Sequence, residues 1–227
     1  MRLVRSRKLL ERVAGVCALV CIAALALMFA KPNFTNASRP QHGLNDPVLA
    51  LQMAHDVSDV DAILGDAPSA DRETMRLKQY EDFGFIAGYA ALYLTLAMLL
   101  AQNYPKWKWA AIAAAILGVA AAGLDVVENL AILRIVEAPL AATTQAMVDA
   151  IHVPSIIKWL CGFLALALLT PYFLFDRRRL AKIVGGIDLA AAAVGMIALV
   201  DNPMFMVAAP AIGLGLLGAA FVLLLLR

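Results

Sequence analysis

Residues 109–133 read WAAIAAAILGVAAAGLDVVENLAIL. The run exceeds the roughly 20 apolar residues that carry a helix across a bilayer core. Its strongly polar side chains are Asp125, Glu128 and Asn129. In a helix these stand at i, i+3 and i+4, so they share one face. Ala114, Gly118, Ala121 and Ala122 continue that face as small residues, which let a neighbouring helix approach closely. An ionisable side chain at membrane depth costs roughly 2.5–3.5 kcal/mol on insertion scales. The acidic face is therefore expected to point into a helix bundle rather than at lipid.

Five further runs read the same way: 13–30, 83–102, 153–175, 183–200 and 204–226. The runs 13–30 and 183–200 lie at the short end of the spanning range. Only Asp201-Asn202-Pro203 separates the last two, which predicts a tight helical hairpin. Of the 227 residues, 63% are hydrophobic and 16% charged, with a mean hydropathy of +0.79. Soluble domains run near 45–50% apolar and about 25% charged, so the composition argues against a soluble enzyme or a disordered chain. A net charge of +2 supplies no general pull toward nucleic acid, and no nucleic-acid partner is expected. The expected fold is all-α, an integral membrane bundle of six transmembrane helices with a short amphipathic helical outer loop. It divides into a basic N-terminal segment (1–12), a first helix (13–30), an extracytoplasmic helical loop (31–82) and the five-helix remainder of one bundle (83–227).

Lysine and arginine set the expected orientation. Arg2, Arg5, Arg7, Lys8 and Arg12 precede the first run, and Lys106 and Lys108 lie between the second and third. Arg177, Arg178, Arg179 and Lys182 lie between the fourth and fifth, and Arg227 follows the sixth. These alternate with the other set of loops, which by the positive-inside rule places both termini in the cytoplasm. The first run has the basic front of a secretory signal, but its apolar stretch is longer than the usual 7–15 residues, so an uncleaved helix is expected. Cys17, Cys21 and Cys161 lie in apolar runs without C-x-x-C spacing and read as small buried hydrophobes.

Within the outer loop, Pro32, Pro40 and Gly43 predict an irregular first part. Asp46-Pro47 reads as an N-cap followed by proline at the first helical position. Leu49, Met53, Val57, Val60 and Leu64 then recur at helical spacing, and Ser58-Asp59-Val60-Asp61 resembles a capping box that restarts the helix. Gly65 ends it. Pro68-Ser69 marks a further start that runs into the second spanning helix. The loop is acidic, so it is expected to cap the mouth of the bundle rather than bind anionic lipid.

A rise of 1.5 Å per residue converts sequence position into depth. Asp125 and Glu128 stand about 24 and 28 Å from the cytoplasmic start of their helix, in the outer leaflet. Lys158 stands about 9 Å below the outer boundary of the next helix, on one face with Ser155 and Gly162. Asp82, Tyr89 and Tyr93 share a face of the second spanning helix. Three helices thus bring Asp82, Tyr89, Asp125, Glu128, Asn129, Ser155 and Lys158 to similar depth, and Lys158 is expected to pair with Asp125 or Glu128. One reading is an ion-pair network that locks the helices. The other is a pocket, open outward beneath the loop, for a lipid head group, a small solute or a proton. Asp188 stands apart and reads as snorkelling or pairing with Lys182.

No cofactor or metal is expected. His42, His55 and His152 show no i, i+4 pairing of the kind that builds a metal hydrolase. Gly213-Leu214-Gly215-Leu216-Leu217-Gly218 spells a dinucleotide fingerprint, but no strand precedes it and it lies in a spanning helix, where it reads as a packing seam. No nucleophile elbow is present, and no catalytic residue is assigned.

Glu81-Asp82-Phe83-Gly84-Phe85-Ile86 with Tyr89, followed by Leu124-Asp125-Val126-Val127-Glu128-Asn129, resembles an uncharacterised family of bacterial multi-pass membrane proteins. The resemblance covers the outer loop and the second and third spanning helices. It implies a bacterial cytoplasmic membrane and supplies no activity or ligand. The function expected is lipid or small-solute binding, or a role in transport or assembly, through an outer-leaflet polar pocket. Its partners would be membrane lipids, a small solute or another membrane protein. The alternative is an intramembrane enzyme working through the Asp125 and Glu128 carboxylates.

Overall fold

A computed structural model describes residues 2–36 and 42–225, with side chains from residue 7 onward. Pro40 and Arg227 lie outside these residues. The described elements are helices: α1 (Arg2–Phe29), α2 (Pro47–Gln52), α3 (Val57–Leu64), α4 (Ala70–Asn103), α5 (Lys108–Glu137), α6 (Gln145–Leu169), α7 (Pro171–Leu174), α8 (Arg179–Ala198) and α9 (Phe205–Leu224). Six spans, carried by α1, α4, α5, α6 with α7, α8 and α9, are long and apolar enough to cross a membrane. The chain is an all-α polytopic bundle.

Each spanning helix packs on the next in chain order, and α9 closes on α1. The bundle is thus a ring of six helices in sequence order. Side-chain size decides which face turns inward. On α5, Ala114, Ala121 and Asp125 are buried, while Ile116, Val119, Val127 and Leu130 are at least half exposed. Gly118 meets the Tyr93 side chain of α4 so closely that a Cβ there would stand 2.5 Å from the ring. One apolar core gathers around Leu100, Tyr172, Phe173 and Leu223, at the end bearing the Arg177–Arg179 turn. A second gathers around Leu51, Met53, Ile63, Ile132 and Phe205, beneath α2 and α3. We call these the basic end and the capped end.

The cap is built from local signals. Asp46 accepts hydrogen bonds from the Val48 and Leu49 amides at 2.9 and 3.0 Å, with Pro47 at the first helical position. Gly65 ends α3 with φ +64°, a left-handed conformation open to glycine. Ser69 caps α4. The restart expected at Ser58 comes one residue earlier, and α2 and α3 are two short helices. Asp56 accepts from the Ser58 and Asp59 amides at 2.8 and 3.1 Å, so α3 restarts at Val57 and no capping box forms from Ser58. The fourth span also begins earlier than its hydropathy suggests. Gln145–Leu169 is one helix through Pro154, because its polar first turns lie against the cap rather than in hydrocarbon.

At 34 residues, α4 is about 51 Å long and outreaches a hydrocarbon core of about 30 Å. Its projecting turns carry the polar anchors of the cap. Asp71 accepts from the Thr35 amide at 2.9 Å and from the Asn36 amide, tying down the segment after α1. Arg72 is 2% exposed and donates to the carbonyls of Ile135 and Ala138 at 2.6 Å and of Gly65 at 2.9 Å. A guanidinium there satisfies the free carbonyls of the α5 C-terminus and faces the negative end of its dipole. Asp66 accepts from the Leu140 amide at 2.8 Å, joining the cap to the α5–α6 loop. That bond, with a second from the Ala67 amide, holds its carboxyl below the usual carboxylate range.

Candidate functional site

Lys158 of α6 is the hub of a buried polar centre. Its Nζ stands 2.5 Å from Asp125 Oδ1 and 2.8 Å from Glu128 Oε1. Asp125 and Lys158 are each 6% exposed and Glu128 is 0% exposed. The remaining carboxylate oxygens are occupied too. Tyr89 Oη donates to Asp125 Oδ2 at 3.0 Å, and Ser155 Oγ donates to Glu128 Oε2 at 2.6 Å. Asn129 turns away from these and donates to Asp82 Oδ2 at 2.8 Å. Asp82 lies within electrostatic reach of Asp125 and Lys158. Helical spacing explains the grouping: positions 125, 128 and 129 share a stripe of α5, and 155 and 158 share a stripe of α6 that faces it.

Two more members come from places the spacing did not single out. Gln52, the last residue of α2, is 6% exposed and reaches from the cap into the centre. Its Nε2 donates to Glu128 Oε1 at 2.8 Å, and its Oε1 accepts from Trp159 Nε1 at 3.0 Å. The amide orientation is determined at both ends, because the carboxylate needs a donor and the indole needs an acceptor. The signal lay in the pattern: Gln52 is three residues after Leu49 and so on the apolar face of the cap. Its partner, 76 residues away, was not readable there.

The expected open pocket is therefore filled at its mouth by a side chain of the chain itself. A cavity of about 300 Å³ lies elsewhere, beside the end of α1, lined among others by Lys31, Phe34, Asp46 and Lys78. Electrostatically the centre is lopsided. Asp82, Asp125 and Glu128 face one ammonium, Lys158, and the Asn129 Oδ1 acceptor is buried with no hydrogen-bond partner among the described residues.

The three histidines also converge at the capped end. The His42 and His55 rings are 4.5 Å apart, the His55 and His152 rings 5.1 Å, and His42 Nε2 stands 2.9 Å from Asp59 Oδ2. They come from three separate segments, so spacing carried no sign of it. Among the described residues no group of three His, Cys, Asp or Glu side chains is arranged to hold a metal ion. Of the cysteines, Cys21 is buried, whereas Cys17 and Cys161 are half-buried and so less enclosed than expected.

Asp188 neither snorkels nor pairs with Lys182. It is 6% exposed and faces α9 at Gly215, where a Cβ would collide with its carboxylate. Lys182 is exposed. It lies six residues away, about 240° around the helix at 100° per residue, and so on another face. The Gly213–Gly218 stretch is a packing seam: Gly215 receives Asp188, and Gly218 receives Val184.

Comparison with protein-family models, curated proteins and solved structures finds no match.

Proposed function

We propose that this is a polytopic protein of a bacterial cytoplasmic membrane, with the capped end outside and both termini in the cytoplasm. In this reading the Lys158 centre binds a small polar solute or a lipid head group from the outer leaflet, in the service of transport or assembly. The clustering of Lys and Arg in alternate loops supports the orientation. The observation that carries the ligand reading is Gln52. Its amide occupies the mouth and makes the two bonds a ligand would make, to Glu128 and Trp159.

The chemistry of the ligand follows from the charges. Three carboxylates around one ammonium favour a donor-bearing cation, such as a primary ammonium. Bonds with one ionised partner contribute about 1.5–3 kcal/mol net, against roughly 0.5–1.5 kcal/mol for neutral ones. A bond ionised at both ends is stronger still. An ammonium can thus displace the neutral Gln52 amide. The alternative, an enzyme using Asp125 and Glu128 as acid and base, is less well supported. Each of their four oxygens already holds a donor.

Native mass spectrometry tests the reading. Wild type, Gln52→Ala and Glu128→Gln are presented with a lipid bearing a primary-ammonium head group and, separately, with a water-soluble primary amine. Gln52→Ala should retain one of these at least tenfold better than wild type, and Glu128→Gln should lose it. Retention of the lipid alone identifies a head group, and retention of the amine identifies a solute. No retention by any variant in either arm overturns the proposal.

A further inference from the structure

Asp188 stands at the middle of α8, which runs from Arg179 to Ala198. It lies about 14 Å along the helix from the basic end, near the centre of a core about 30 Å thick. It is 6% exposed, and among the described residues it has no hydrogen-bond or ion-pair partner. The elements packed on α8 leave it so. The helix α9 has no titratable side chain between Phe205 and Leu224, and its bare Gly215 lies against the carboxylate. The Tyr172 hydroxyl of α7 is committed to Glu11 at 3.1 Å. On α6, Lys158 is committed to Asp125 and Glu128, Asp149 and His152 lie toward the capped end, and Cys161 is half-buried. The turn Asn202–Met204 brings none.

On α4 the Tyr93 hydroxyl is committed to the Gly162 carbonyl at 3.3 Å, and the Tyr89 hydroxyl to Asp125 at 3.0 Å. An unpaired carboxylate in hydrocarbon is costly, and a bound proton removes that cost.

We propose that Asp188 is a proton-binding site at the middle of the bundle. Filling adds one proton from water to the carboxylate, which becomes neutral, and emptying returns that proton to water. No solute at the Lys158 centre is required.

Infrared spectroscopy of the full chain in lipid nanodiscs tests it. The carbonyl stretch of a protonated carboxylic acid should be present in wild type at neutral pH and absent from Asp188→Asn. An unchanged band in Asp188→Asn overturns the site. Should Asp188→Asn fail to fold, wild type is treated with a hydrophobic carbodiimide, which attacks protonated carboxyls in apolar surroundings. Peptide mass spectrometry should then find the adduct on Asp188, and its absence there overturns the site. Ligand retention by Gln52→Ala is a separate readout, so the two proposals fail independently.

Discussion

Gln52 and Glu128 share a 2.8 Å hydrogen bond across 76 residues of sequence. The bond ties the last residue of a six-residue helix in the cap to the most enclosed carboxylate of the bundle. So short a helix has no stability of its own in water. Its position depends on what it touches, and the mouth of the centre is only as closed as that contact.

Breaking the hub should be expensive. Lys158→Met leaves two buried acids without their cation, and removing one partner of a buried pair costs about 3–5 kcal/mol. Thermal unfolding in detergent should show a large drop in Tm, partly recovered in Lys158→Met with Glu128→Gln. Losses that simply add in the double variant would mean that the two side chains do not interact.

Close packing of α4 on α5 should depend on Gly118. A valine there drives its Cβ into Tyr93, and overpacking of this kind costs about 1–3 kcal/mol. Gly123 is exposed on the same helix and a Cβ there meets nothing within 4 Å. Gly118→Val should therefore lower Tm well below Gly123→Val. Equal values for the two would contradict this packing.

The link from Asp66 to the α5–α6 loop should be sensitive to acid. The Leu140 amide, with that of Ala67, lowers its carboxyl pKa. A lowered folded value contributes stability at pH above the unfolded value of about 3.9, and the contribution is lost as pH falls through the folded value. Hydrogen exchange at the Leu140 amide should accelerate below about pH 4, beyond the intrinsic pH dependence of exchange. In Asp66→Asn that added acceleration should vanish. A wild-type profile identical to that of Asp66→Asn would remove the link.

Orientation is open to reporter fusions. Fusions after Gln102 and after Asp176 should read cytoplasmic, and fusions near Ala70 and Ala142 external, as the basic loops require. A cytoplasmic signal near Ala70 would invert the topology and place the Lys158 centre in the inner leaflet.

The six spans, the caps at Asp46 and Ser69 and the stop at Gly65 are legible in the sequence alone, as is the depth shared by Asp125, Glu128 and Lys158. Each rests on short-range physics. Hydropathy is summed over about 20 neighbours, a cap bonds to amides two or three residues away, and a fixed rise per residue turns position into depth. Four relationships were not legible: Gln52 in the mouth of the centre, the three histidines in contact, Arg72 on the end of α5, and Asp188 against Gly215. In each, the partners come from separate segments. A helix face announces in its own sequence that it will be covered, but not which element covers it. That choice fell to the way the ring of six helices closes and the cap settles on it, where side-chain volumes and buried hydrogen bonds must all be satisfied at once.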